Sequence, residues 1–245
     1  PRDPAAFRAA IRPNTRLLYA ETIGNPRGEI LDIPAVAEVA HSHGLPLLLD
    51  STLTTPWLLR PFDHGADLVV HSLTKFIGGH GIAIGGMVVD SGRFDWEQSG
   101  RFPTLTEPYA GFENMDFAED FGPSAFLIRG RREGLRDFGA ALSPTNAFHF
   151  LQGLETLPLR MARHVENARR ILAFLGGQPA VARINSPEIP GHPDHVLASR
   201  LLPRGCGSVF SFELKGGREA ARTNQVLYEV IARATEEAGL PQGWI

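Results

Sequence analysis

Short apolar runs alternate with helix-like segments along the first half of the chain. Between two of these runs, Asp32 is placed to cap a helix over 33–43, and Gly44 is placed to end it. Short buried strands separated by helical segments are typical of βαβ units and predict a largely parallel sheet. The pattern then fades, and 91–123, rich in Gly, Pro and Phe, is predicted to run over the surface. The predicted strands cover 16–21, 45–50, 67–71 and 84–90.

A long helical pattern leads into the second half of the chain. It begins with Ser143 as its cap, is interrupted at Pro158 and ends at Gly176. A loop over 186–194 and a strand over 208–214 follow it and predict a second, smaller unit. The helix carries apolar residues at helical spacing, which predict a buried stripe: Met161, Val165, Ala168 and Leu172.

Composition and charge narrow the class of protein. The chain has 245 residues, 43% of them hydrophobic and 21% charged, which suits one large folded domain or two small ones. A net charge of -3 argues against a nucleic-acid-binding domain built on bulk charge. The single cysteine, Cys206, excludes a disulfide framework and fits a cytoplasmic setting. No apolar run reaches the ~18 residues of a membrane helix, and neither a membrane span nor a signal peptide is expected.

Polar side chains of unusual kinds follow three of the strand-like segments. In an open parallel sheet, ligands bind beyond the carboxyl ends of the strands, so these side chains are expected to converge on one crevice. A lysine for an imine, a carboxylate for a pyridine nitrogen and hydroxyls for a phosphate suit pyridoxal phosphate (PLP). The candidate residues are Asn25, Asp50, Thr52, Ser72, Thr74 and Lys75.

Each of these features also has a plain structural interpretation. A single Asp at a strand end is usually a cap or turn residue, and a single Lys there is usually solvated. His192 and His195 have no nearby third ligand and fit a surface loop better than a metal site. The glycine-rich segment after Lys75 lacks the G-K-[ST] of a phosphate-binding P-loop. Cys206 is expected to be a small buried side chain rather than a nucleophile.

Several motifs resemble a known family. The motifs T-I-G-N-P, L-L-L-D-S-T and H-S-L-T-K-F-I-G-G-H-G are similar to those of the Cys/Met-metabolism family of PLP-dependent enzymes. Four further motifs resemble its O-acetylhomoserine sulfhydrylase branch: L-T-E-P-Y, F-G-P-S-A-F, L-S-P-T-N-A-F and L-Q-G-L-E-T-L-P-L-R-M-A-R-H-V-E-N-A. The resemblance covers roughly residues 5–217.

The resemblance implies an α/β fold of the aspartate-aminotransferase type (fold type I). This fold has a mostly parallel sheet with flanking helices and a smaller C-terminal domain. Residues 1–140 would form part of the large PLP-binding domain, and 141–217 the linking helix and the start of the small domain. The tail over 218–245 departs from the family and is similar to a helix of aldehyde-dehydrogenase-like acyl-phosphate reductases.

The resemblance also implies roles for the candidate residues. Lys75 would form the imine with PLP and carry protons, and it is the catalytic residue. Asp50 would pair with the pyridine nitrogen. The other assignments implied are Ser72 and Thr74 to the phosphate, Asn25 to the ring oxygen and the substrate side of the imine, and Thr52 to the vicinity of the ring.

The implied reaction is γ-replacement on O-acetylhomoserine by sulfide or a small thiol, giving homocysteine or methionine and acetate. The alternatives are a cystathionine γ-synthase or methionine γ-lyase type of activity, or a catalytically silent fragment. The resemblance further implies a homo-oligomer, a tetramer of dimers. Family members begin before Pro1 and carry a substrate-binding arginine near the C-terminus, so the chain alone is not expected to be a competent enzyme.

Overall fold

The computed structural model describes residues 3–222, which divide into two compact units. The first unit comprises the described residues up to Thr22 together with 31–56 and 60–157. The second comprises 23–30, 57–59 and the described residues from Pro158 onward. Most of the tail predicted to depart from the family, 218–245, lies outside the described residues.

A four-stranded sheet forms the centre of the first unit. Its order is β1-β4-β5-β6, with β1–β4 and β4–β5 parallel and β5–β6 antiparallel. The prediction of a largely parallel sheet is therefore confirmed. The strands of the two units are β1 (Leu18–Glu21), β2 (Ile23–Gly24), β3 (Glu29–Ile30), β4 (Leu47–Asp50), β5 (Leu68–Ser72), β6 (Gly86–Asp90), β7 (Val181–Asn185) and β8 (Ser211–Leu214).

The helices begin where capping residues satisfy their first backbone N–H groups. Asp32 Oδ1 accepts from the backbone N–H of Ala35, and Ser143 Oγ accepts from that of Asn146, as the capping patterns predict. The helices are α1 (Pro4–Ala10), α2 (Ile33–His41), α3 (Thr55–Leu58), α4 (Trp96–Ser99), α5 (Pro103–Thr106), α6 (Phe117–Phe121), α7 (Ala125–Gly130), α8 (Pro144–Glu155), α9 (Leu157–Gly176), α10 (His195–Leu201) and α11 (Gly217–Arg222). Shorter helical turns cover Pro61–His64, Leu73–Ile77, Ala110–Phe112, Gly122–Ser124 and Arg131–Asp137.

The long helical pattern is interrupted as predicted. It divides into α8 and α9 at Thr156, and Pro158 occupies the first turn of α9, where its missing N–H costs no hydrogen bond. The stripe predicted on this helix is buried in the second unit, with Met161 fully buried. Within residues 3–222, no helix is both long and apolar enough to cross a membrane.

The alternating residues of strand β4 show that the sheet has one buried face and one half-buried face. Leu47 and Leu49 are fully buried, as are Ile33 and Val36 of α2, which supplies the helical layer beside the sheet. Leu48 and Asp50 alternate with these leucines and are only half-buried. The second face of the sheet therefore carries the polar end of β4.

The prediction that 91–123 runs over the surface is wrong. This segment folds into short helices around an aromatic cluster, in which Trp96 and Phe117 are buried. The indole of Trp96 meets Phe102 edge-on, with ring centroids 5.0 Å apart, and stacks on Phe126 at 5.5 Å. Each helix spans only four or five residues, too few for an apolar periodicity to show in the sequence.

The second unit contains two small antiparallel pairs. Strands β2 and β3 form a hairpin, and β7 pairs with β8. The predicted strand over 208–214 is confirmed in the shorter form of β8, whereas β7 has no counterpart in the predictions. The sequence pattern of β7 alternates weakly, because four of its five residues are exposed or only partly buried.

Candidate functional site

The carboxyl ends of three parallel strands lie side by side in the first unit. Glu21 of β1 is aligned with Asp50 of β4, which is aligned with Val70 of β5. A hydrogen bond between neighbouring strand ends joins two predicted site residues, because Thr52 Oγ1 accepts from the backbone N–H of Ser72 at 2.8 Å. The structure therefore brings Asp50, Thr52 and Ser72 together at one edge of the sheet, as predicted for an α/β ligand site.

The Asp50 carboxylate is held by the turn that follows it. Its Oδ1 accepts from the backbone N–H of Thr52 at 2.9 Å. The carbonyl of Asp50 accepts from the backbone N–H of Thr22 at 3.0 Å. These bonds leave the carboxylate half-buried at the strand end and orient it.

A buried chain of hydroxyl groups lies beneath this strand end. Ser51 Oγ and Thr54 Oγ1 are 2.6 Å apart, and Thr54 Oγ1 is 3.2 Å from Thr22 Oγ1. All three side chains are at most 2% exposed, so their hydrogen bonds are shielded from water. The backbone under the carboxylate is consequently fixed by more than the sheet itself.

Lys75 lies in a helical turn that continues directly from β5. The turn covers Leu73–Ile77, and Lys75 departs from helical geometry within it, with φ −93° and ψ −125°. The side chain is exposed, and its amine makes no hydrogen bond or ion pair with any residue in the described part of the chain. Such an amine is accessible for covalent attachment.

Thr74 and Ser72 differ in how their hydroxyls are used. Thr74 Oγ1 accepts from the backbone N–H of Gly85 at 3.1 Å and lies 3.3 Å from its carbonyl oxygen. Among the described residues, the hydroxyl of Ser72 has no partner. Ser72 therefore has the more available hydroxyl, whereas Thr74 also ties the lysine turn to the segment before β6.

Helix α8 packs closely on the lysine turn. A Cβ on Gly78 would lie 2.6 Å from the carbonyl oxygen of Leu73 and 2.9 Å from the ring of Phe150, which α8 contributes. A Cβ on Gly153 would collide with the backbone of Gly78. The glycine of the L-Q-G-L-E motif is thus needed for the approach of α8 to the turn that bears Lys75.

Asn25 lies in the second unit, in the turn between β2 and β3. Its side chain is exposed, and its peptide bond to Pro26 is cis. The other five predicted site residues all belong to the first unit.

Two residues near Asp50 were not among the sequence predictions. His71 is buried, donates from Nδ1 to the carbonyl of Ser51 at 3.1 Å, and has its pKa lowered by that burial. Partial burial, together with the charges of Asp50 and Glu21, raises the pKa of Tyr19. Strand alternation is the signal that places Tyr19, Glu21 and Asp50 on one face.

The other sequence candidates have structural partners. His192 Nδ1 accepts from the backbone N–H of Asp194, and its Nε2 donates to the carbonyl of Arg27. His195 Nδ1 donates to the carbonyl of Pro187. Cys206 is buried as predicted, and burial, with the adjacent Glu188 carboxylate, raises its pKa to about 12. Within the described ranges, no three His, Cys, Asp or Glu side chains form a metal-binding group.

The side chains present at this edge fit PLP. An exposed, unpaired amine suits imine formation, a half-buried carboxylate suits a protonated pyridine, and the Ser72 hydroxyl suits a phosphate oxygen. The Thr52 hydroxyl accepts one hydrogen bond and retains its own proton to donate. Lys75, Asp50, Ser72 and Thr52 would hold the cofactor on the first unit.

Comparisons with known proteins agree with this chemistry. The chain is 45% identical over 229 residues to an O-acetyl-L-homoserine sulfhydrylase of Leptospira meyeri, covering 90% of this chain and 52% of the relative. It is 47% identical over 222 residues to a homocysteine synthase of Schizosaccharomyces pombe, covering 90% of this chain and 52% of the relative. The chain thus spans about half the length of the curated relatives it matches.

Solved structures support the same fold. A putative O-acetylhomoserine (thiol)-lyase of Campylobacter jejuni, which carries a pyridoxyl-lysine phosphate, superposes with a TM-score of 0.82 at 32% identity, covering 87% of this chain and 53% of that one. A cystathionine γ-lyase of Lactobacillus plantarum gives 0.68 at 33% identity, covering 87% and 48%. The predicted α/β fold of PLP-dependent enzymes is confirmed. The sequence also matches the family described as Cys/Met metabolism PLP-dependent enzyme over residues 1–236, and the chain belongs to this family.

Proposed function

We propose that this protein catalyses γ-replacement on O-acetylhomoserine, with sulfide or a small thiol as the nucleophile and acetate as the leaving group. The products are homocysteine or methionine and acetate. The observation that carries the proposal is the alignment of Asp50, Thr52 and Ser72 at one sheet edge, with Lys75 in the next turn. The relatives with sulfhydrylase and homocysteine synthase names support this choice of reaction within the family.

Lys75 is the catalytic residue of this proposal. Its exposed amine would hold PLP covalently until the substrate amine takes that place. The freed Nζ then accepts the proton from the substrate Cα and returns protons in later steps. PLP, when bound, supplies the electron sink for these bond-breaking steps.

Asp50 would keep the pyridine ring of PLP in its protonated, positively charged form. Its carboxylate holds a proton on the pyridine nitrogen, because an anion beside a cationic ring stabilises the charged form. The hydrogen bond from the backbone N–H of Thr52 orients the carboxylate for this role. Acetate would leave Cγ as Lys75 takes a proton from Cβ, the thiol sulfur would add to Cγ, and protons would return to Cβ and Cα.

The remaining assignments concern orientation. Ser72 and Thr74 would bind the phosphate, and the Thr74 hydroxyl bonds Gly85 in this structure. Thr52 lies near the ring, and Asn25 contacts the ring oxygen and the substrate side of the imine. Holding the cofactor at both its phosphate and its pyridine nitrogen would fix the ring, which favours reaction in one geometry.

The quaternary state and location belong to the same proposal. We propose a cytoplasmic homo-oligomer, a tetramer of dimers. Several large apolar side chains of the first unit are strongly exposed, as expected of a surface that pairs with another subunit. The single, protonated thiol of Cys206 suits a reducing compartment.

Two measurements test the function. Homocysteine formation from O-acetylhomoserine and sulfide should be measured for the full-length protein and for its Lys75→Ala variant, which we expect to be inactive. Borohydride reduction followed by peptide mapping should find the cofactor on Lys75. A label on Lys215 instead would refute the site, and cofactor binding without turnover would indicate a catalytically silent chain.

A second candidate function is a cystathionine γ-synthase or γ-lyase type of activity. The resemblance to the cystathionine γ-lyase of Lactobacillus plantarum, with a TM-score of 0.68, favours it as the alternative. The same assay separates the two when cysteine replaces sulfide and when cystathionine is offered as the substrate. Turnover confined to those reactions would replace the sulfhydrylase proposal.

A further inference from the structure

The hairpin that carries Asn25 is fastened to the rest of the second unit by side chains of β8 and of the loop after β7. Ser211 Oγ donates to the carbonyl of Pro26 at 2.7 Å. Pro26 is the residue next to Asn25, and its carbonyl belongs to the Pro26–Arg27 peptide unit, one residue beyond the proposed cofactor ligand. The contact joins residues 185 positions apart in the sequence.

Asn185 determines the direction in which the Ser211 hydroxyl points. Its Nδ2 donates to Ser211 Oγ at 3.1 Å, and the two residues are aligned partners in the β7–β8 pair. A hydroxyl that accepts from an amide on one side directs its own proton to the other side. Asn185 is only 8% exposed, so water competes little for its amide, whereas the bond from Ser211 to Pro26 is exposed.

Two further contacts hold the other arm of the hairpin. His192 Nε2 donates to the carbonyl of Arg27 at 3.3 Å, and Asp194 Oδ2 accepts from the backbone N–H of Ile30 at 3.1 Å. These contacts fix the return strand. The Asn25–Pro26 segment itself is reached by the Ser211 hydroxyl.

We infer that Ser211, oriented by Asn185, is a positioning residue for Asn25. The inference rests on the proposed function, because it concerns the part Asn25 plays toward the cofactor ring and the substrate. Ser211 does not contact the reacting atoms in this assignment. It acts through the Pro26 carbonyl, which fixes the direction in which the preceding side chain is presented.

The first test needs neither cofactor nor turnover. The backbone N–H of Gly28 donates to the carbonyl of Gly24 at 2.8 Å and closes the turn that contains Asn25. In Ser211→Ala, hydrogen exchange at the Gly28 amide should become roughly fivefold faster, as expected for the loss of one hydrogen bond. Ser211→Thr keeps the hydroxyl and should restore the original rate.

A matched control separates positioning from general loosening. Ser199 Oγ donates to the carbonyl of His195 in α10 at 2.9 Å, which is the same kind of bond in the same unit. Ser199→Ala should leave exchange at Gly28 unchanged, and amides of β7 should keep their rates in Ser211→Ala. Equal acceleration of Gly28 and the β7 amides would overturn the inference.

The second test concerns the cofactor and is made on the full-length PLP-loaded protein. Ser211→Ala should shift the pH midpoint of the bound cofactor's absorbance and raise KM for O-acetylhomoserine more than it lowers kcat, and Ser211→Thr should reverse both. Asn25→Ala should give a larger shift in the same direction. Unchanged exchange at Gly28 in Ser211→Ala would overturn the positioning role, whereas faster exchange with an unaltered Asn25→Ala spectrum would overturn the cofactor role of Asn25.

Discussion

Asp50 is the single residue at which chemistry and folding can be separated most cleanly. Its Oδ1 accepts from the backbone N–H of Thr52, and an asparagine Oδ1 can accept the same bond. Asp50→Asn should therefore leave the thermal unfolding midpoint nearly unchanged. An amide cannot hold a proton on a pyridine by charge pairing, so turnover should fall on the order of 10²-fold or more.

The measurement compares homocysteine formation and thermal unfolding of the two proteins loaded with PLP. A useful control is Asp63→Asn, since Asp63 is exposed and pairs with Arg60, three residues before it. That variant should keep both its activity and its midpoint. Unchanged turnover in Asp50→Asn would mean that another group keeps the ring protonated.

Cys206 gives a prediction about pH. Burial and the Glu188 carboxylate raise its pKa to about 12, so the thiolate fraction at pH 8 is on the order of 10⁻⁴. A thiol reagent should react very slowly with the native chain and rapidly after unfolding. Because the folded state binds this proton more tightly, its contribution to stability should be full below about pH 9 and be lost as the pH rises toward 12.

Denaturant unfolding at several pH values checks the sign of this effect. In Cys206→Ala, the decline in stability between about pH 9 and 12 should be smaller than in the original chain. Rapid modification of Cys206 in the native chain at pH 8 would contradict the raised pKa.

Sequence reasoning proposes the candidate site residues that stand at the ends of apolar runs. Asp50 and Lys75 were visible because a charged residue directly follows a buried strand or turn. The sequence does not reveal Tyr19 as a neighbour of Asp50, because that proximity depends on strand alternation and on the alignment of β1 with β4. The engagement of the Thr74 hydroxyl with Gly85 likewise depends on how β6 returns beside β5.

At the scale of elements, the aromatic cluster around Trp96 and Phe117 gives a stability prediction. Phe117 is fully buried, whereas Phe138 is 85% exposed. Phe117→Ala should lower the free energy of unfolding by about 3–5 kcal/mol, because it removes a packed ring and leaves a cavity. Phe138→Ala should change it by no more than about 0.5 kcal/mol.

Chemical denaturation of the two variants measures this difference directly. Equal effects of the two substitutions would mean that the short helices of the cluster do not pack as described. Both substitutions remove the same benzyl ring, so side-chain size cancels between the variants and the difference reports burial.

Helices with a capping residue or a sustained apolar periodicity can be predicted from the sequence. Asp32 and Ser143 marked the starts of α2 and α8, and the apolar stripe of α9 followed its spacing. The helices of 91–123 were missed because their burial comes from contacts among separate aromatic side chains rather than from one periodic face. Strand β6 was predicted as a strand, but its antiparallel direction follows from the chain reversal at the glycine-rich segment.

At the scale of the whole molecule, exposed apolar side chains predict self-association. Leu151 is 63% exposed and Phe148 56%, and both belong to α8 of the first unit. Such side chains favour contact with another apolar surface. Phe148→Ser combined with Leu151→Ser should shift the protein toward the monomer in light scattering, with far-ultraviolet circular dichroism unchanged.

The matched control for this prediction changes Val196, which is 81% exposed in the second unit, to Ser. That variant should retain the oligomeric state of the original protein. A double variant that associates as strongly as the original would place the subunit contact elsewhere.

The path of the chain through the two units has a practical consequence for anyone who wishes to dissect the protein. The second unit collects three separate stretches, 23–30, 57–59 and the region from Pro158 onward. No single cut in the gene releases it intact, because the hairpin that bears Asn25 is encoded far upstream of the strand that anchors it. A truncation library would therefore lose the Ser211 contact in every clone that starts after residue 30. In a split-protein experiment, the hairpin and β8 must lie on the same fragment, or the second fragment must supply the missing one.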